Sequence, residues 1–328
     1  MRKSPYLKTE YNKREIFTMN ITRLEPAYKN YIWGGTRLNR EYNKTSPYDI
    51  TAESWELSCH DDGLCVIADG EEKGRALKDV IAENPDILGK NGKAFDFFPI
   101  LIKLIDAADK LSVQVHPDDE YALANEKSYG KTEMWYVVDA EDGASLVYGL
   151  KKDVTKEEFL DLAKNGGLMD ILNFVPVKKG DVFFIRSGMI HAIGKGILIA
   201  EIQQNSNLTY RVYDYDRRDK EGNLRPLHTE KAATVADLTR VQDGGFADIK
   251  QISENVRRLS ECKYFTVDEI KVDGKYEIKN DDSFVCITAV EGEGEISGLE
   301  VKAGTSVFVP CGEKAEITGK MTLVVAYV

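Results

Sequence analysis

The sequence predicts a mainly β fold with a few helices, of the sandwich or barrel kind. Short segments rich in Val, Ile, Tyr and Phe recur along the chain, separated by Gly, Asn and Asp. Helical periodicity is confined to a few stretches between them. One strand-and-turn pattern occurs twice. Residues 180–191 read GDVFFIRSGMIH and residues 304–315 read GTSVFVPCGEKA. Each has a glycine, strand residues, a second glycine at the same offset and a final position, His191 in the first copy and Ala315 in the second. The echo predicts two related β units, of which only the first keeps a side chain able to bind a metal.

The predicted strands follow in order. GLCVIAD, SVQVH, MWYVVDA, SLVYGL, DVFFIRSG and GILIAEIQ lie before residue 204, and YFTVDEIKV, SFVCITAV, TSVFVP and MTLVVAYV after residue 263. Helices are expected over RALKDVIAEN, ahead of Pro85, and over TKEEFLDLAKNGG, with Thr155 and Glu158 as a capping box. A third begins at Pro117 in PDDEYALANE, and a fourth has Thr229 as N-cap in HTEKAATVAD. The second β unit, from about residue 255, is short for a closed barrel, so strands from the first 75 residues are expected to complete it.

The chain has 328 residues, enough for substantial cores, and a formal charge of −11. That charge opposes general binding to nucleic acid or an anionic membrane. It leaves room for a small anionic substrate, which a few local Lys or Arg can hold. No apolar run is long enough to cross a bilayer. The first 18 residues are polar and read as a leader or tag-like segment ahead of Met19. The five cysteines are widely spaced with no CxxC pair, which predicts buried free thiols in a reducing compartment rather than a cysteine metal site.

LSVQVHPDDE, at Leu111, raises the question of chemistry. On a strand, Ser112, Gln114 and His116 share one face. GKTEMWYVVDA repeats the arrangement with Lys131, Glu133 and Trp135, and His191 follows a glycine turn. Two imidazoles, a carboxylate and an amide oxygen suit a divalent transition metal with a coordination position left open. The competing reading is structural, with hydrogen-bonded histidines and Glu133 on an exposed edge strand. His60 reads as a loop residue, His228 as structural, and Trp33 and Trp55 as core.

These residues resemble a known family. Gly180 to His191 is similar to the second motif of the cupin superfamily, with Arg186 at the usual proline, whereas the second copy keeps Pro310 and has Ala315 in place of the histidine. The Gln114-x-His116 variant of the first motif, with Glu133 after an insertion, resembles type I mannose-6-phosphate isomerases in their short bacterial form. YIWGG at Tyr31, ESWELS at Glu53, FPILIKLIDAADKLSVQVHPDD at Phe98, GKTEMWYV at Gly130, HAIGKGILIAEIQQNSNLTYRVYDYDR at His191 and LHTEKA at Leu227 carry the likeness, in the family's order. The resemblance implies a bicupin of two jelly-roll barrels, with a catalytic unit over 19–250 and a cupin-like unit over 251–328 that lacks metal ligands.

It also implies one zinc on Gln114, His116, Glu133 and His191, and an isomerase that interconverts mannose 6-phosphate and fructose 6-phosphate through an enediolate. Arg211 falls at the family's catalytic arginine. Glu201 matches an acidic residue after the last ligand and is the expected base, on the argument that burial raises its pKa. Zinc-bound hydroxide, His191 and Lys131 compete for that role, and a structural pair with a base such as Arg211 is the bland reading of Glu201. Ser112, Lys103 and Lys131 match phosphate and sugar contacts, provided that DAADK turns to bring Lys103 beside Ser112. A cytoplasmic monomer or homodimer follows, with no nucleic-acid or membrane partner. Two other functions are open: an iron-dependent cupin oxygenase, opposed by Gln114, and a sugar-phosphate-binding cupin without turnover.

Overall fold

The computed structural model describes residues 19–218, 221–242 and 247–328. The expected leader, residues 1–18, lies outside them. The fold is mainly β, and two of its antiparallel sheets create the site.

The first has six strands in the order Val182–Ile185, Glu133–Ala140, Ile197–Gln204, Ile100–Ala107, Glu53–Leu57 and Ala27–Lys29. Three of these carry no polar alternation because both faces are covered. Ile197–Gln204 and Ile100–Ala107 are buried over their whole length, and so is Glu53–Leu57. Register then places buried charge in rows: Glu201 lies opposite both Lys103 and Trp135, and Lys103 lies opposite Trp55.

The second sheet has five strands in the order Leu172–Pro176, Ser145–Leu150, His191–Ala192, Val113–Val115 and Tyr210–Tyr213. Its inward residues Leu146, Tyr148 and Val175 pack with Ile105, Trp135, Val137 and Ile199 of the first sheet in one apolar core. Its outward residues Val113, Val115, Val147 and Val212 pack with Phe159, Ala232 and Ala233 of the helices Lys156–Asn165 and Thr229–Val235. This layering answers the question of LSVQVH. Its valines face the helices, and Ser112, Gln114 and His116 face the gap between the sheets.

A nine-stranded sheet gathers the strands after Lys250 together with Thr22–Glu25 and Val66–Ile67. Thus two strands from the first 75 residues pair into it. Thr266–Lys279, Val285–Ile296 and Lys314–Tyr327 run longer than their apolar segments, because their polar halves pair with one another in solvent. The echoed pattern has matching backbone: Gly180 and Gly304 have φ of 86° and 93°, and Gly188 and Gly312 have φ of 81° and 83°. These left-handed positions are the reason for glycine.

Several local expectations are corrected. The helix expected to begin at Pro117 runs over Asp119–Asn125, and Asp118 caps it, accepting from Tyr121 N at 2.9 Å. His228 stands at the N-cap that was expected of Thr229, which is the first helical residue. Thr155 caps Glu158 N at 3.1 Å, but the Glu158 carboxylate turns to Lys152, so only half of the capping box forms. His60 ends a two-residue strand and sets its ring edge-on to Trp55. Cys59, Cys65 and Cys286 are buried free thiols, whereas Cys262 and Cys311 are half-buried.

A buried ion pair sits where the nine-stranded sheet meets the six-stranded one. Lys44 Nζ lies 2.6 Å from Glu56 Oε1, both side chains almost wholly buried. Ser54 and Ser306 donate to the two Glu56 oxygens at 2.6 and 2.9 Å. Glu56→Ala leaves a buried ammonium unpaired and is expected to cost about 3–5 kcal/mol of stability, read from denaturant unfolding. The double variant Lys44→Met/Glu56→Leu is expected to recover most of that loss.

Candidate active site

Strand register assembles the site. Gln114 pairs with His191 on one side and with Arg211 on the other. The three side chains therefore leave the five-stranded sheet on one face, side by side. His116, two residues past Gln114, joins them. Glu133 enters from the opposing sheet, fully buried rather than on an exposed edge.

His116, Glu133 and His191 bring ligand atoms within 4.8 Å of one another. His116 Nε2 lies 3.7 Å from Glu133 Oε2, and His191 Nε2 lies 3.4 Å from Glu133 Oε1. Gln114 Nε2 is 3.3 Å from His191 Nε2. Each imidazole anchors its other nitrogen to a backbone carbonyl at 2.9 Å: His116 Nδ1 to Leu208 and His191 Nδ1 to Met189. A neutral ring donating there carries its lone pair on Nε2, the tautomer a metal ligand needs. Burial holds both rings neutral. It drives His116 well below the usual histidine range and His191 down to about 4. His116 Nε2 is buried with no hydrogen-bond partner among the described residues, as expected of a nitrogen placed for an ion. The donor set thus fits a divalent cation.

Beside this group stands a network of buried charge. Lys131 Nζ lies 2.7 Å from Glu133 Oε2 and 3.6 Å from Glu201 Oε1. Lys103 Nζ lies 3.1 Å from Glu201 Oε1 and 3.9 Å from Glu53 Oε2. Neither lysine is the ordinary solvated residue. Trp135 Nε1 donates to Glu201 at 3.1 Å, and Trp55 Nε1 to Glu53 at 2.6 Å. Burial and the charge of Glu201 push the Glu133 carboxyl up against the pull of Lys131. Burial alone would raise Glu201 too, but Lys103 and Lys131 hold it well below the usual carboxylate range. The expected raised pKa of Glu201 is therefore corrected, and its basic partners are the two lysines rather than Arg211.

A cavity of about 250 Å³ opens onto these groups. Lys103, Ser112, Gln114, Lys131, Glu201 and Arg211 all line it, so the turn after Ala107 brings Lys103 and Ser112 to one cavity. Trp55 packs as core, while Trp33, nearly buried, also forms part of the cavity wall. Gly34 and Gly35 let this aromatic loop press against Ala52 and Asp106, where a Cβ would come within 2.5 Å and 2.2 Å of side-chain atoms.

Sequence reasoning missed Glu53, Arg225 and His228, which line the same cavity. Glu53 sits in a strand whose buried pattern has no alternation to read. Arg225 and His228 lie in or beside the motif LHTEKA, and only the tertiary fold carries that segment to the cavity.

Because Glu133 must lose a proton to bind a cation, apparent affinity is expected to fall by about tenfold per pH unit below its raised pKa and to level off above it. Zinc titrations from pH 8 to pH 5 measure this. Wild type is expected to take about one ion per chain, and His116→Ala and His191→Ala substoichiometric amounts at the same micromolar free metal.

Comparisons with known proteins follow the same lines. Residues 21–158 match the family model for the catalytic domain of phosphomannose isomerase type I, and residues 255–328 match that for the cupin domain of mannose-6-phosphate isomerase. The chain is 40% identical to mannose-6-phosphate isomerase ManA of Bacillus subtilis over 294 residues, 88% of this chain and 92% of that protein. It is 38% identical to the mannose-6-phosphate isomerase of Streptococcus mutans, over 88% of this chain and 91% of that protein. The crystal structure of mannose 6-phosphate isomerase from Bacillus subtilis superposes with a TM-score of 0.88 at 34% identity, covering 94% of this chain and all of that one. The family expected from the sequence is the family found: this chain belongs to the type I phosphomannose isomerases.

Proposed function

We propose that this protein is a zinc-dependent aldose–ketose isomerase interconverting mannose 6-phosphate and fructose 6-phosphate. One observation carries the reading: a buried His–Glu–His group, its two neutral imidazoles turning Nε2 toward Glu133, lies beside Gln114 and Lys131, which line a cavity that mixes lysines, arginines and two carboxylates. Gln114, His116, Glu133 and His191 would hold the metal, Gln114 after turning its amide to present the oxygen. Bound there, zinc supplies Lewis-acid polarisation of the substrate's carbonyl and hydroxyl oxygens.

The chain's own residues do the rest. Arg211 offers permanent positive charge beside Gln114, where an enediolate would form. Ser112, Lys103 and Lys131 contact the substrate from the cavity wall. Glu201 is the proton acceptor between C2 and C1. Lys103 and Lys131 keep it ionised at neutral pH, which makes it available and also limits its basicity. Tyr31 and Trp33 give the same cavity an aromatic wall.

We read the two sheets around the site as one jelly-roll barrel, the catalytic unit over 19–250, and residues 251–328 as a second, cupin-like unit. The matched left-handed glycines favour this bicupin reading, and buried Ala315 stands where the first unit has His191. Every side chain assigned to the site comes from one chain, so a monomer suffices and a homodimer is compatible. Five free thiols suit the reducing cytoplasm.

A coupled assay of fructose 6-phosphate formed from mannose 6-phosphate tests the proposal. Turnover that chelation abolishes and zinc restores is the expected result. Its absence would favour binding without catalysis. Arg211→Ala is expected to lower kcat about 10²–10³-fold with zinc content unchanged. Glu201→Gln should lower it about 10²–10⁴-fold, and near-normal turnover in that variant would move the proton-transfer role elsewhere.

A further inference from the structure

The cavity has two electrostatic ends. At the inner end, Lys103 and Lys131 are each already flanked by two carboxylates drawn from Glu53, Glu133 and Glu201. At the outer end the balance reverses. Asp214, nearly buried, is shared by two arginines: Arg217 Nη2 and Arg225 Nη2 both reach its Oδ1 at 2.5 Å. Arg225 Nε takes the other oxygen at 2.7 Å. This grip uses one edge of the Arg225 guanidinium. It fixes the plane and leaves the Nη1–Nη2 edge, two parallel donors spaced for two oxygens of one anion.

Arg225 is tied to the arginine already assigned to the site. Arg211 Nη1 donates to the carbonyl of Pro226 at 3.0 Å, and its buried Nε has no hydrogen-bond partner among the described residues. The backbone N–H of His228 donates to the Arg211 carbonyl at 2.7 Å, and the Arg211 N–H donates back to His228 Nδ1 at 3.2 Å. That second bond makes Nδ1 an acceptor, so the neutral His228 ring carries its proton on Nε2. Arg211, Arg225 and His228 all line the cavity.

We propose that Arg225, preset by Asp214, is the anchor for the substrate's phosphate group, with Arg211 and the Nε2–H of His228 completing the cradle. This rests on the isomerase reading and refines it, since it places the phosphate at the arginine end and leaves Lys103 and Lys131 to the sugar and to the carboxylates. A dianion gains most where cations outnumber carboxylates, and the segment 225–228 gives the motif LHTEKA a task.

The test uses the full-length zinc-loaded protein with Arg225→Ala and Arg225→Lys. KM and kcat for mannose 6-phosphate, competitive inhibition by inorganic phosphate, and thermal midpoints are measured together. Arg225→Ala is expected to raise KM and the phosphate inhibition constant in parallel, by roughly tenfold or more, with kcat changed less. Arg225→Lys keeps the charge without the fork and should fall between. If Arg225→Ala does not fold, the lysine variant decides: a raised KM at a normal thermal midpoint supports the assignment, and an unchanged KM overturns it. Unchanged phosphate inhibition in a folded Arg225→Ala overturns it too. Phosphate binding followed by tryptophan fluorescence separates the two readings. Wild-type binding that Arg225→Ala weakens, with no turnover in either protein, would keep this assignment and remove the isomerase. Turnover with unaltered phosphate binding would do the reverse.

Discussion

The structure depends on one constraint: two sheets must close on each other with Glu133 facing His116 and His191. A carboxylate and two imidazoles taken out of water are costly to hold unless something repays their lost hydration. Lys131 repays part, at 2.7 Å from Glu133. The backbone carbonyls of Leu208 and Met189 repay more by fixing the rings. What is left over, a His116 Nε2 without a hydrogen-bond partner among the described residues, is the demand that a bound cation would meet.

The wider charge balance follows. Glu53, Glu133 and Glu201 against Lys103 and Lys131 leave the inner end one negative charge in formal terms. A divalent cation turns that into one positive charge, the sign an enediolate needs. Arg211 extends the positive field outward along the same row as Gln114 and His191. The cavity is thus graded, with the metal-capable group behind Gln114 and Lys131 at one end and guanidinium groups at the other. An open-chain sugar phosphate has the same polarity, with reacting oxygens at one end and a dianion at the other.

Much of this was legible in the sequence, for physical reasons that differ by element. Gln114 and His116 could be placed on one face because the strand period is two and Val113 and Val115 marked the other face. His191 was legible because a left-handed glycine at Gly188 ends a strand just before it. Strands buried on both faces were harder. Ile100–Ala107 and Glu53–Leu57 have no alternation, so only the family likeness drew attention to them. The protonation of Glu201 was misjudged because burial was visible in the pattern of its strand, whereas the lysines that offset burial come from two other segments. Arg225 and His228 were not legible at all as site residues. Their position depends on hydrogen bonds of that segment to Arg211 and Asp214 that no local pattern encodes.

The central claim is that one cation sits among Gln114, His116, Glu133 and His191 with oxygen and nitrogen donors only. X-ray absorption at the zinc edge of the loaded protein tests it most directly. The account predicts a sulfur-free first shell of N and O donors at about 2.0–2.2 Å, with imidazole scattering from two rings. A shell containing sulfur at about 2.3 Å, or one without imidazole, would place the metal at the cysteines or elsewhere and contradict it.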